Sequence, residues 1–583
     1  MQAFDRQTRN ILSPIGKAAA SALLLALSMS AQVLAEGGDI QLSAGGEIAG
    51  ATIQVPGAPD RIRIPVGQIT ADGGRLPIFR PSDPLRLLHD LPQMEQGIQF
   101  GDVGEGRAIV WSRCDRPARM WVEYAFNEQF TDSKVIRGPH ALEVSDFTAR
   151  QDLVGLPSGK DVYVKVWFED LTNARNKSEP VIGRFHTVGK HENIRFVWGG
   201  DTAGQGWGIN EAFGGMRIYE AMRQVKPQFF IQSGDSVYSD GPIEASKPAE
   251  NGQIWTNLVT PEVSKVAETL DEFRGRYKYN LLDANLRRFN AEVPQIWQWD
   301  DHEVVNNWSD AKDLANDPRY TLKEIPVLIA HATRAFHEYA PLRPHTAEES
   351  ERLYRKISYG PLLDVFVIDM RSYRGPNTAN LQTQEGPETA FLGEAQLKWL
   401  KKELKKSRAT WKVISADMPI GLNIGDGVDA NGQPRWEAIA NGDNGPAVGR
   451  ELEIARLLRF IKHERIKNIV WLTADVHYAA AHFYDPSEAQ FKNFSPFWEF
   501  VAGPLNAGSF GPNTTDGTFG PQVVFAKAPP AGQVNLSPYA GLQFFGEVNI
   551  NRKTHELTVD LKDLYGASVF SKTLKAEHGR DPD

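Results

Sequence analysis

The spacing of apolar positions changes near residue 190. Between residues 97 and 190 apolar residues alternate with polar ones: Ile109 with Trp111, Met120 with Val122 and Tyr124, and Val162, Val164 and Val166 with Phe168. Side chains of a strand point to opposite faces in turn, so this alternation predicts half-buried strands. In the same stretch Leu156, Pro157 and Tyr163 stand at the spacing of a tyrosine corner, in which a phenol hydrogen-bonds back to the backbone at a sandwich edge. With Trp111 on an early strand, the expectation is a small all-β, immunoglobulin- or fibronectin-like sandwich over residues 93–190. Another antiparallel sheet with a conveniently placed tyrosine is the alternative.

After residue 192 strand and helix patterns alternate. "IRFVWGGD" precedes the helical "NEAFGGMRIYEAMRQV", where Phe213, Met216 and Met222 recur at helical spacing, and "PQFFIQSGD" follows. "LLDVFVID" reads as a buried strand, and "LGEAQLKWLKKELKKS" as an amphipathic helix with Leu397, Leu400 and Leu404 on one face. "WKVISADMP", "ELEIARLLRFIKHERI" and "NIVWLTADVHYAA" then read as strand, helix and strand. The pattern predicts an α/β layered domain over residues 191–583. Residues 36–92, rich in Gly and Pro, predict a loosely structured lead-in.

A chain of 583 residues exceeds one ordinary domain, and 41% hydrophobic residues suffice to fill more than one core. The net charge of -9 offers no field to attract a nucleic-acid backbone, so nucleic acid is excluded as an expected partner. Cys114 is the only cysteine, which rules out an intrachain disulfide and a thiolate cluster; any metal is held by oxygen and imidazole. Arg6, Arg9 and Lys17 precede an apolar run at 18–27 and small residues ending in Val33-Leu34-Ala35, the pattern of a secretory signal over residues 1–35, cleaved after Ala35. That run is shorter than the roughly 20 apolar residues of a spanning helix. The expectation is a periplasmic or secreted protein with no transmembrane segment after cleavage.

The chemistry lies at the strand ends. Asp201, Asp235, the pair Asp300 and Asp301, Asp369 and Asp475 each close an apolar strand, the end at which α/β sheets bind ligands. A single Asp there more often caps a helix or a turn. Five in succession favour a site, as do Tyr238 three residues past Asp235, His302 and Asn307 after Asp301, and His477 two past Asp475. Converging acids raise one another's pKa unless a cation neutralises them. Asp475 and His477 on a strand would face one side and suit one ion or two adjacent ones. Asp235 as a bridge would hold two cations about 3.5–4 Å apart, the clamp used in phosphoryl transfer.

"GIQFGDVGEGRAIVWSR", "QSGDSVY", "WDDHEVVNNW", "DMRSYRG", "LGEAQLKWL", "WKVISADMP" and "TADVHYAA", in this order, resemble the alkaline phosphatase D family of calcineurin-like metallophosphoesterases, from about residue 97 to the C-terminus. The resemblance implies a β-sandwich followed by a two-sheet, αββα-type metallophosphatase core. It also implies a site of ferric iron and calcium that hydrolyses phosphomonoesters and often phosphodiesters. Carried over by position, Asp235 bridges the ions, Tyr238 is a phenolate on iron, Asp475 and His477 are ligands from the last strand, and Asn307 binds calcium, with Asn306 as the register alternative. Asp301 joins them as a strand-end carboxylate. Where the family has a cysteine after the first strand, this chain has "GGDTAG". Asp201 is the nearest replacement, a harder anion that keeps iron possible but leaves metal identity open.

His302 is the candidate group that stabilises the transition state or protonates the leaving oxygen; a structural histidine tied to Asp301 or Glu303 is the alternative. Arg371, with Arg374 close by, is a candidate phosphate fork, or else a partner for a nearby carboxylate. The aromatic run at 494–500 reads as core. The expected function is release of phosphate from small-molecule or lipid phosphate esters by a metal-bound hydroxide or oxo group, without a phosphoenzyme. The rivals are a phospholipase D-like phosphodiesterase on the same scaffold and an exported binding protein with a structural metal site.

Overall fold

The structure is a computed structural model that describes residues 51–53, 62–64, 91–104, 106–344 and 349–577. The chain divides into two compact units, Met1–His89 and Asp90–Asp583. In the first, Ala51–Ile53 pairs antiparallel with Ile62–Ile64. The expected signal at residues 1–35 and nearly all of the lead-in lie outside the described residues.

The second unit begins with the predicted alternation. Ala118–Ala125, Lys134–Ala141, Asp161–Asp170 and Val181–His186 form a four-stranded sheet. Met120, Val122, Val164, Val166 and Phe168 point from it into a shared core with Phe100 and Val110, which come from Ile98–Gly104 and Arg107–Arg113. This is an all-β layer pair, but two of its expected marks are absent. Along Asp161–Asp170 the even-numbered residues are buried, so Tyr163 points outward and donates to Glu128 Oε1 at 3.3 Å. The corner at Pro157 is closed instead by Thr187, whose hydroxyl donates to Pro157 O at 2.6 Å. Trp111 likewise has the opposite parity to Val110. It leaves the sandwich core, packs against Tyr339 at 5.7 Å between ring centroids, and donates from Nε1 to Glu338 O at 2.7 Å.

Ile98–Gly104, Arg107–Arg113 and Thr148–Leu153 also form one end of a nine-stranded sheet. Through the Gly101–Gln295 pair they join the parallel strands Gln295–Gln298, Phe229–Ser233 and Ile194–Gly199, which continue antiparallel into Phe544–Ile550, Leu557–Asp563 and Ser568–Leu574. A seven-stranded sheet contains the parallel run Leu363–Val367, Trp411–Ser415, Ile469–Thr473 and Phe497–Val501, with antiparallel neighbours Arg355–Tyr359, Ala479–Tyr484 and Pro521–Lys527. Phe196, Trp198, Ile231 and Ile296 from one sheet share a buried cluster with Val365, Val413, Leu472 and Phe500 from the other. Their opposite faces are buried as well, which is why Phe229–Ser233, Leu363–Val367 and Trp411–Ser415 are buried throughout instead of alternating.

Helices Arg217–Gln224, Leu270–Asn280, Ala284–Asn290 and Ile325–Tyr339 contribute to the cluster on the far side of the first sheet. Glu394–Lys406, with Leu397, Leu400 and Leu404 buried, and Glu451–His463 cover the second sheet. The first of these helices is shorter than its pattern predicts, because Gly214 and Gly215 adopt φ of 97° and 71°, outside the helical region. Leu270–Asn280 starts at a capping box: Thr269 Oγ1 accepts from Glu272 N, and Glu272 Oε2 accepts from Thr269 N. Among the described residues no helix is long and apolar enough to cross a membrane. Cys114 is buried, and burial pushes its thiol up to about 12, so it is inert at neutral pH.

Candidate metal centre

Six parallel strands hand over to a carboxylate two residues after they end: Asp201, Asp235, Asp300, Asp369, Asp417 and Asp475. The chain does not carry these acids inward by strand alternation. Asp201, Asp235 and Asp475 sit at φ of 63°, 48° and 67°, with His477 at 61° and Asn307 at 56°. In this left-handed region Asn, Asp and His are tolerated best, and surrounding structure must hold them there. Asp475 and His477 thus lie on a tight turn after Thr473, not on the continuous strand that was expected.

The turns bring the side chains into three overlapping groups, each with ligand atoms within 4.8 Å of one another: Asp201, Asp235 and His477; Asp235, Asp301 and His302; and Asp300, Asp301 and Asp475. Asp235 is common to the first two and Asp301 to the last two. Tyr238 borders the first group, with its hydroxyl 2.9 Å from His477 Nε2 and its ring 4.3 Å from the His302 ring. Gly204 makes room for that phenol, since a Cβ there would lie 2.1 Å from Tyr238 Cγ. Asn307 is buried and donates from its backbone N to Asp301 Oδ2, whereas Asn306 is exposed. The structure thus brings Asp201, Asp235, Tyr238, Asp301, Asp475 and His477 together and ties Asn307 to Asp301 through its backbone.

The electrostatics of this arrangement favour a cation. Asp201 is fully buried, and neither of its carboxylate oxygens has a hydrogen-bond partner among the described residues. Burial, and after it the neighbouring acids, push the carboxyl groups of Asp201, Asp235 and Asp475 well above the usual range. Burial also lifts the Tyr238 phenol, with Asp235 and Asp201 adding to the effect. A cation would turn this repulsion into attraction. His477 is prepared for one: Nδ1 is bonded to Gly508 O, which leaves the Nε2 lone pair inward, and burial lowers the ring to about 4.

His302 has a different setting. Burial disfavours its charge, but Asp240, Asp301 and Asp235 outweigh that and raise its pKa well above the ordinary value. Its Nδ1 is 2.7 Å from Asp240 Oδ1, and Nε2 faces Asp301 Oδ1 at 3.9 Å.

Arg371 requires a correction. It is fully buried, with Nε donating to Asp300 Oδ1 at 2.7 Å and to Asp417 Oδ2 at 3.2 Å, and its terminal nitrogens paired with Glu437 and Asp300. The guanidinium is buried and its donors are directed at carboxylates, with Asp475 Oδ1 also 3.9 Å from Nη2, so Arg371 takes the role of a carboxylate partner and offsets part of the acids' charge behind the centre. Asp369 also plays the plainer part, capping a turn by accepting from Arg371 N and Ser372 N and from Trp299 Nε1.

Sequence reasoning gave Glu303 only as an alternative partner of His302, and it missed Asp240, Asp417 and Glu437. Glu303 accepts from the backbone N of Asp235 and of Asp300 and from Ser236, and so ties two strand ends together. Asp240 holds His302, and Asp417 and Glu437 hold Arg371. Only Asp417 carried a visible signal, since it follows its strand as the others do.

Residues 196–561 match the PhoD-like phosphatase family, and residues 86–189 match its N-terminal domain. The chain belongs to the PhoD-like phosphatase family. Over 304 residues this PhoD-like chain is 29% identical to alkaline phosphatase D of Bacillus subtilis (strain 168); the alignment covers 50% of the chain and 48% of the relative, about half of each. A solved structure described as that of PhoD superposes with a TM-score of 0.59 at 21% identity, covering 83% of this chain and 89% of that one. That likeness gives the fold: metallophosphatase-like, with an N-terminal all-β region.

Proposed function

We propose that this PhoD-like protein is an exported, metal-dependent phosphoesterase that releases phosphate from phosphomonoesters and phosphodiesters, with ferric iron and calcium as its ions. The observation that carries this reading is the sharing of Asp235 between two ligand groups, one of which contains the partnerless carboxylate of Asp201. The donors divide by chemistry. The Tyr238 phenol, the His477 imidazole and the Asp201 and Asp235 carboxylates form a set suited to ferric iron; the oxygens of Asp301, Asp475 and Asn307 suit calcium. When bound, the ions supply Lewis acidity, lowering the pKa of water and neutralising phosphoryl charge.

The remaining steps fall to the chain. Asp240, Asp301 and Asp235 together hold His302 protonated on both nitrogens; Nδ1–H is directed at Asp240, and the Nε2 proton, facing the centre, is placed for a leaving oxygen. Arg371 offsets part of the charge of Asp300, Asp417 and Glu437 and so lessens that wall's repulsion of the phosphate. We keep residues 93–190 and 191–583 as an all-β domain and an αββα catalytic domain, and a periplasmic or secreted location on the strength of the N-terminal pattern. Turnover of a chromogenic phosphomonoester and the matching diester, on protein of measured metal content, tests the reading. Hydrolysis supports it and the ratio ranks the two activities. No turnover of either ester with both ions bound would overturn it in favour of a binding protein.

A further inference from the structure

Asn307 can offer a cation only the oxygen end of its carboxamide, and its neighbours decide where that end points. The chain of constraint starts at two buried arginines. Asn377 Oδ1 accepts from an Arg450 terminal nitrogen at 2.8 Å and from an Arg374 terminal nitrogen at 2.9 Å. Guanidinium only donates, so this atom of Asn377 must be the oxygen. The Asn377 amide nitrogen then donates to Asn307 O at 2.9 Å and to Asp426 Oδ2 at 3.0 Å. Asp426 is a pure acceptor when ionised, and its other oxygen takes Asn307 Nδ2 at 3.2 Å and Lys312 Nζ at 3.3 Å. Gly425 O accepts from the same Asn307 Nδ2 at 3.1 Å. Two acceptors thus fix the nitrogen end of Asn307 and leave Oδ1 as the free end.

Asp426 lies on Gly425–Val428, one arm of a two-stranded ribbon far along the chain from every ligand, and its side chain is 10% exposed. Without it only Gly425 O would hold the nitrogen end of the Asn307 carboxamide, and Lys312 would lose its carboxylate partner beside that residue. We propose that Asp426 is a positioning residue that turns the Asn307 carboxamide oxygen toward the cation position served by Asp301 and Asp475, and that Asn377 holds Asp426 in register. The proposal rests on the metallophosphoesterase reading.

The test is Asp426→Asn in the full chain, with Asn377→Ala as a milder second variant. An amide at 426 can donate as well as accept, so of the two acceptors that hold the Asn307 nitrogen only Gly425 O stays obligate and the hold on the carboxamide is weakened. Calcium affinity is measured by calorimetry, iron content by mass spectrometry, and kcat and KM on a chromogenic phosphomonoester over a range of added calcium. Loss of an outer partner of this kind costs roughly 10–100-fold in metal affinity. The expected result is a calcium affinity lower by that factor in Asp426→Asn and by less in Asn377→Ala, with iron content unchanged and kcat recovered at high calcium. A merely structural role would lower the thermal midpoint and both metals together, which overturns the proposal, as does wild-type calcium affinity in a folded Asp426→Asn. Should that variant not fold, wild-type affinity in Asn377→Ala overturns it. A wild-type chain that binds no calcium sinks the parent reading as well; one that binds it normally while the variants do too sinks only this inference.

Discussion

Asp201→Asn separates the two things a buried carboxylate can do. The side chain is fully buried, neither oxygen has a hydrogen-bond partner among the described residues, and a Cβ on Gly503 would lie only 2.2 Å from its Oδ2, so the carboxylate is closely packed on that side. In metal-free protein burial, and after it Asp301 and Glu303, disfavour the charged carboxylate, which costs stability. Asparagine has nearly the same shape and no charge. A buried polar group left unsatisfied costs about 1–3 kcal/mol, and more if it is charged. Asparagine keeps the unsatisfied amide but removes the charge, so chelator-treated Asp201→Asn should be more stable than chelator-treated wild type by about 1–2 kcal/mol. With metal supplied the order should reverse, because the variant has lost an anionic ligand. The assay is urea unfolding of both proteins, each with chelator and with metal, alongside metal content. A variant less stable than wild type under both conditions would refute the reasoning, because Asp201 would then be a structural acid with a partner of its own.

Gly204→Ala should drive the Tyr238 ring from the centre, because the new Cβ would lie 2.1 Å from it. Overpacking of this kind costs about 1–3 kcal/mol, read as a lower thermal midpoint, and phosphoesterase turnover should fall with it. Glu268 gives a pH prediction away from the metals. Burial opposes its charge, but Leu322 N, the Thr321 hydroxyl and Lys265 outweigh burial and lower it to about 2. A lowered carboxyl pKa stabilises the fold above the unfolded value, about 4.3, and that contribution disappears as pH falls through about 2. Glu268→Gln should therefore unfold at lower urea than wild type at pH 7, and the two midpoints should converge between pH 4.5 and pH 2; a constant gap would contradict the assignment.

What the sequence revealed follows from how local each signal is. The carboxylates at 201, 235, 301 and 475 were legible because a strand of unbroken apolar residues ends in an acid only where something polar is needed. Their convergence was expected from their place at the strand ends; the left-handed turns at Asp201, Asp235, Asp475 and His477 that bring it about were not legible. Trp111 and Tyr163 were misread for one reason: alternation gives two faces but does not say which faces the sandwich core, and both residues point away from it. Arg371 looked like a phosphate fork because Asp417 and Glu437, its buried partners, are 46 and 66 residues away in the chain. Asp240 and Asp426 were silent because they act on residues 62 and 119 positions distant. The helix at Leu270–Asn280 could have been found from Thr269 and Glu272 alone.

The central claim is that Asp235 joins two cation positions in a phosphoesterase, and the direct measurement is metal stoichiometry and phosphomonoester turnover on the same samples of wild type and Asp235→Asn. The account predicts two ions and chelator-sensitive hydrolysis in wild type, and the loss of turnover with at least one ion missing in a variant that remains folded. Wild-type stoichiometry and turnover in Asp235→Asn would contradict it.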